Sequence, residues 1–415
     1  NNLTQRYGED AYTNGLIVTT TIKDRNQRAA NKALRDALLG YDKRHGYRGP
    51  EQFIDDIESK SEEDIINILK TFPVFSNLSP GLVKNVNEKS ANVHVLNTGE
   101  VEINWEGLKW ARKYISENRR GPKLKKASEF LKPGDIVRLF KTENNEWVLS
   151  QIPNVEGGLI SISPNDGSVF ALVGGFNYFK NKFNHVTQAK RQAGSGFKPF
   201  IYSAALEAGK TSASIINDAP VVFEDPGIED EWRPENYSRK SHGPTRLREA
   251  LIHSRNLVSI RLLHSIGIPF ALNHIKQFGF DIEQLPKNLS LALGSAELSP
   301  WGLVRGYSVF ANGGFLVEPY FINETKTYAD KIIFRANPLV VCNQCIDIQK
   351  EKSSTEEIDT PEEEDGPVSP YRDDSLLNTI YSPRVVDAKN IWIMNSITQD
   401  VIKYGTGRRA LELQR

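Results

Sequence analysis

The sequence predicts an α+β protein, a sheet covered by helices, with a small β-barrel domain ahead of it. Three observations lead there. Between residues 51 and 151, short β-branched and aromatic runs alternate with turn residues. Two apolar strands, 159–163 and 169–173, then flank an Asp166-Gly167 turn. Beyond residue 198 the apolar residues recur mostly at helical spacing.

Length and composition set the frame. A chain of 415 residues is too long for one ordinary core, so two or three domains are expected. Hydrophobic residues at 39% and charged residues at 25% describe a globular protein. The 52 Lys and Arg balance 52 Asp and Glu, which argues against a nucleic-acid partner. No apolar run reaches the ~18 residues of a membrane span. The chain starts Asn1-Asn2-Leu3 with neither an initiator Met nor a signal peptide, and it reads as a piece of a longer protein with any targeting segment upstream.

Residues 1–50 read as a strand-helix region. Ile17 to Ile22 is β-branched, Asp24 can N-cap the next segment, and Ala29, Ala30, Ala33, Leu34 and Leu38 share a helix face that Gly46 ends. Residues 51–151 form a second domain. Ser61-Glu62-Glu63-Asp64 opens a short helix over Ile65, Ile66 and Leu69. Strands are expected at 93–96, 101–105, 135–139 and 147–150, a barrel of the OB kind. Such barrels can bind oligonucleotides, but no interleaved aromatic and basic pattern is evident here, so a packing or partner-docking module is the expectation.

Residues 152–415 form the third domain. After the hairpin, helices are expected at 198–209, from Thr245, through 257–263 and over 301–310, with a strand at Val317–Ile322. Residues 348–371 are acidic, nearly free of apolar side chains, and read as a mobile surface insertion. The two cysteines, Cys342 and Cys345, leave three readings open: a local disulfide (favoured), free thiols, or a metal or redox pair.

The chemistry centres on Ser195-Gly196-Phe197-Lys198-Pro199. Pro199 is tolerated only in a first helical turn, so Ser195 lies at a helix N-terminus, and the i,i+3 spacing puts its hydroxyl and the Lys198 amine on one face. A nucleophilic serine there has a free backbone N–H and the positive helix end beside it. Ser254-Arg255-Asn256 lies at a break between two apolar helices and could bring a hydroxyl and an amide to the same site. Equivalent Ser-x-Asn triplets at Ser90, Ser116 and Ser163 are chance matches. Taken alone, Ser195 and Lys198 could equally be a capping serine and a surface lysine.

In this order and context the motifs resemble the class A penicillin-binding proteins of the 1A type. Further patches carry the likeness: 6–12, 41–50, Trp232 to Tyr237, Leu291 to Gly294, Ala311 to Gly314 and Gly405 to Arg408. The resemblance implies a linker over 1–50, an OB-like domain over 51–151 and a β-lactamase-like transpeptidase domain over 152–415. It implies that Ser195 is acylated, Lys198 takes its proton, Ser254 relays a proton to the leaving group, and Asn256 binds the substrate peptide and fixes Lys198. For this, the Lys198 pKa must fall well below the usual value of about 10.4.

The implied activity is a penicillin-sensitive DD-transpeptidase acting on the D-Ala-D-Ala ends of peptidoglycan stem peptides, inhibited by beta-lactams and needing no cofactor and no metal. The alternatives are a serine beta-lactamase or a non-catalytic penicillin-binding sensor module. The resemblance also implies a periplasmic location in a Gram-negative cell, an upstream inner-membrane anchor and glycosyltransferase domain, and a regulatory protein docking on the OB-like domain. The family's third motif, Lys-Thr/Ser-Gly, does not occur. It is expected beyond Arg415, and Lys210-Thr211-Ser212 is read as a decoy.

Overall fold

Residues 2–222, 232–342 and 380–414 are described by a computed structural model. They form two compact units, one of residues 1–23, 160–171 and 189–415, the other of 24–159 and 172–188. The units cut across the consecutive spans 1–50, 51–151 and 152–415. β1 (Ile17–Thr20) belongs to the first unit, and the helix that follows it, α1 (Asp24–His45), belongs to the second.

Along α1, Ala30, Leu34, Leu38 and Asp42 recur every fourth residue and form the buried stripe. Gly46, at φ +112, ends the helix as expected. Asp24 is the first helical residue and not the N-cap, and its carboxylate accepts from Arg28 Nε at 2.8 Å, a pair one turn apart. Asp42 is a buried carboxylate with every neighbour supplied from within its unit. Arg48 Nη1 donates at 2.8 Å, Gln151 Nε2 at 2.6 Å and Asn154 N at 3.2 Å. Breaking such a set strands an Arg and an amide, so Asp42→Ala should cost about 3 kcal/mol, read by urea unfolding.

The barrel unit continues with β2 (Gln52–Phe53), α2 (Glu62–Lys70), β3 (Ser79–Val86), β4 (Ser90–Val95), β5 (Gly99–Asn104), β6 (Asp135–Lys141) and β7 (Trp147–Ser150). The sheet order is β2-β6-β3-β4-β5, with β7 also on β6, all antiparallel. Alternate residues face two apolar layers. Val83, Val93, Val137 and Leu139 fill the barrel, while Leu82 and Ile136 pack under Ile65 and Leu69 of α2. α2 has the expected start. Ser61 Oγ accepts from Asp64 N, and Asp64 accepts from Ser61 N, a capping box.

β3 is a central strand that was not among those expected, and its Pro80-Gly81 pair is of types depleted in strands. The proline sits at the strand's start, where a missing N–H is tolerated, and Gly81 leaves room for Val93, whose Cγ1 would lie 2.7 Å from an added Cβ.

β8 (Leu159–Ile162) and β9 (Val169–Val173) form the expected hairpin, of which residues 160–171 belong to the other unit. β10 (Arg191–Gln192), a 3-10 turn (Gly194–Phe197) and α3 (Lys198–Glu207) follow. β11 (Ile215–Asp218) pairs with β12 (Gly243–Arg246), so Thr245-Arg246 close a strand and do not open a helix; their ladder to Ile215 and Ile216 outweighs helical spacing. Then come α4 (Leu247–Ile252), α5 (Asn256–Ile266), α6 (Ile268–Lys276), β13 (Glu297–Leu298), α7 (Pro300–Ala311), β14 (Ile322–Lys326), β15 (Ile332–Arg335) and α8 (Ala388–Lys403).

β14 pairs with β1 and β15. The strand expected over Val317–Ile322 begins only at its end: Pro319 has no N–H to give a ladder, and Tyr320 makes a lone bridge to Ser168. α8 was not anticipated. Its buried Ile391, Met394 and Ile397 join the helical core.

That core is built around α3, whose residues 198–205 are all buried. The Phe200 ring touches Phe278, Phe280, Tyr307 and Phe310. The first turn of α3 is therefore held rigidly. Cys342 is disulfide-bonded, as favoured. Cys345 and the acidic segment 348–371 lie outside the described residues.

Candidate active site

Ser195 lies in the 3-10 turn that feeds α3, and Lys198 is the first residue of α3. A 3-10 turn has three residues per turn, so side chains at i and i+3 eclipse. Ser195 and Lys198 thus share a face more closely than α-helical spacing gives. Pro199 occupies the first turn, where its missing N–H costs nothing. Ser195 is exposed and Lys198 is fully buried.

The structure brings the four expected residues together. Lys198 Nζ donates to Ser254 O at 2.8 Å, to Ser254 Oγ at 2.9 Å and to Asn256 Oδ1 at 2.8 Å. Ser254 Oγ donates to Ser195 Oγ at 2.9 Å. Among the described residues, the hydrogen bond at Ser195 Oγ leads to Ser254 and not directly to Lys198. Burial pushes Lys198 down from 10.5 to about 8, although three neutral acceptors surround it. A proton can then pass from Ser195 through Ser254 to Lys198 once the amine is neutral.

Ser254 reaches this position by a strained backbone. Its φ of +54 lies in the left-handed region at the break between α4 and α5. That turn directs both its carbonyl and its hydroxyl at Lys198. Asn256 is the first residue of α5 and not a loop residue. Its N–H, and that of Leu257, donate to Asn236 Oδ1 at 2.8 and 3.3 Å. Asn236 Nδ2 donates in turn to the buried Asp218 at 2.7 Å. Asn236 thus does for α5 what an N-cap would do, from 20 residues upstream. Sequence reading quoted Asn236 only within a matching patch. The signal that could have found it is a helix start, at Asn256, whose N-cap position holds an arginine.

Gly294 is the second residue whose role was not foreseen. It has φ +75, and a Cβ there would fall 1.8 Å from Gly194 O. Gly194 N donates to Gly294 O at 2.9 Å and Ala193 N to Ala296 O at 3.1 Å, while β10 pairs with β13. Tyr307 Oη also donates to Gly196 O at 2.7 Å. The serine turn is therefore clamped from both sides. Gly294→Ala should displace it and lower the rate of penicillin acylation about 100-fold, the usual result of a displacement near 1 Å. Fluorescent-penicillin kinetics would read this. Lys210-Thr211-Ser212 lies in the connection from α3 to β11, away from this cluster.

Comparison with known proteins shows the family. Residues 47–155 match the penicillin-binding protein OB-like domain, and residues 157–408 match the penicillin-binding protein transpeptidase domain. Penicillin-binding protein 1A of Pseudomonas aeruginosa is 40% identical over 99% of this chain, and that of Vibrio cholerae is 39% identical over 100%; each match covers 50% of the relative. The chain spans about half the length of the curated relatives it matches. The crystal structure of penicillin-binding protein 1A from Haemophilus influenzae matches with a TM-score of 0.82 at 32% identity, over 98% of this chain and 57% of that one. The α+β fold with an OB-like domain is therefore that of its relatives, and the chain belongs to the penicillin-binding protein transpeptidase family, with its 1A-type members as similar proteins.

Proposed function

We propose that this chain carries the Ser195, Lys198, Ser254 and Asn256 part of the DD-transpeptidase site of a peptidoglycan synthase. The reading rests on one observation: a fully buried lysine, with its pKa lowered toward neutrality, is joined through Ser254 to an exposed serine. Ser195 Oγ attacks the carbonyl of the D-Ala-D-Ala bond of a stem peptide. Its proton moves to Ser254 and the Ser254 proton to Lys198. The Ser195 backbone N–H, in a first turn, offers one donor to the oxyanion. As the tetrahedral adduct collapses, the Lys198 proton returns through Ser254 to the departing D-alanine amine, leaving acyl-Ser195. An amine of a second stem peptide then takes the acyl group. Asn256, fixed by Asn236, presents its amide at the same lip, where it can bind the substrate backbone.

Beta-lactams would acylate the same serine. The test is to treat purified full-length protein with labelled penicillin, locate the label by mass spectrometry, and assay D-alanine release with cross-linked product. Label on Ser195 together with cross-linking supports the proposal, and label elsewhere overturns it. An acyl-enzyme lost within minutes would instead make the protein a beta-lactamase. Relatives from Gram-negative bacteria support a periplasmic location. Among the described residues no helix is long and apolar enough to cross a membrane.

A further inference from the structure

Between Lys109 and Lys126 the sequence has eight Lys or Arg against one acidic residue, Glu117, in a chain whose overall charge is zero. In the barrel unit this run meets the C-terminal end of α1 across an open groove of about 570 Å3. Six cations line it: Lys43, Arg44, Lys109, Arg112, Arg120 and Lys123. Among the described residues, Lys109 alone of these has a carboxylate partner, Glu106. The other five cations repel one another with no carboxylate within ion-pair distance among the described residues, which raises the local potential for anions. The end of α1 adds its negative dipole, but only within a turn.

Two tryptophans form the walls. Trp105 and Trp110 are half-buried against the barrel core, and each lies beneath an ammonium group, Lys89 at 4.3 Å and Lys43 at 5.2 Å. The Trp110 N–H is spent on Leu149 O at 3.0 Å, so its orientation is fixed. Arg112 is likewise fixed, its Nε donating to Gly121 O at 2.6 Å. The aromatic and basic pattern that sequence reading found missing is thus assembled from two segments over 60 residues apart, 43–44 and 105–124.

We propose that this groove binds an anionic glycan, a chain of sugar rings whose appended peptides bear carboxylates, and so holds the substrate polymer on the barrel unit. This rests on the transpeptidase reading, since the polymer is the one whose stem peptides would acylate Ser195. Once the Lys89 and Lys43 ammonium groups swing aside to meet carboxylates, the indole faces beneath them suit the apolar faces of sugar rings, and dispersed cations suit dispersed carboxylates. A nucleic acid is the less fitting polyanion, because its charge density favours a strongly basic protein and this chain has a pI near 7.2.

The test uses full-length Ser195→Ala protein, so that nothing is turned over. Soluble un-cross-linked peptidoglycan strands are titrated against tryptophan fluorescence, alongside strands with amidated carboxylates, a single-stranded oligonucleotide and anionic phospholipid vesicles. The expected result is saturable binding of the native strands, weakened at least tenfold by amidation and by the exposed double variant Arg120→Glu/Lys123→Glu. Trp105→Phe should weaken it less than the charge reversal. Circular dichroism should show the variants folded. Penicillin labelling at Ser195, in the parent background, should be unchanged by the double variant. That assay reports separately on the transpeptidase reading. Binding insensitive to the double variant, or tighter binding of the oligonucleotide or vesicles than of the strands, overturns the proposal.

Discussion

Replacing Ser195 with alanine should abolish covalent penicillin labelling and reduce D-alanine release by about 10^4-fold or more, the scale seen when a catalytic serine is removed. No ester can form without the Ser195 oxygen. The fold should survive. Ser195 is exposed, and among the described residues its Oγ makes one hydrogen bond, to Ser254. Stability should therefore change by no more than about 0.5 kcal/mol. Ser254 should not replace it, because the Ser254 hydroxyl is already held between Lys198 and Ser195. Mass spectrometry of the labelled variant decides this, and label found on Ser254 would reverse the assignment of nucleophile and relay.

The second large effect concerns Lys198. Acylation by penicillin should rise about tenfold per pH unit below about 8 and level off above it, because only the neutral amine can accept the proton. Lys198→Met should lower the rate by about 10^3-fold or more and remove this pH dependence. The depressed pKa also has a stability signature, at higher pH.

Lys198 has a folded pKa near 8 and an unfolded value near 10.5. Below about pH 8 both states bind the proton and the fold bears the full cost of burying the charge. From about pH 8 to 10.5 the unfolded state binds more protons, so wild-type stability gains on that of the Met variant as pH rises. Thermal unfolding of the two proteins across this range would show it. A constant difference from pH 7 to 11 would mean that burial does not depress the lysine.

The site divides cleanly into what lies close in the chain and what does not. Ser195 and Lys198 needed only their spacing and Pro199. Whether that turn is α or 3-10, they fall on one face, because the three residue steps between them span about one turn of either helix. The Asp166-Gly167 hairpin, the Ser61 capping box and the stripe on α1 were legible for the same reason. Each is stabilised by groups within a turn or two of one another. Where expectation failed, a distant partner was involved. Pro80-Gly81 is of types depleted in strands, yet β4 and β6 supply ladders on both sides. Thr245-Arg246 look helical until β11 pairs with them.

The same division runs through the chemistry. That a serine and a lysine adjoin is a local fact about residues 195–198. That the lysine is poised near neutrality is not, since the depressed pKa comes from burial among segments distant in the chain. Nor does any local pattern reveal that Asn236 caps α5, that Gly294 must lack a side chain to meet Gly194, or that 43–44 and 105–124 share one groove. Spacing along the chain governs short-range geometry. Desolvation, close backbone approach and electrostatic potential arise only where segments far apart in sequence are packed against each other.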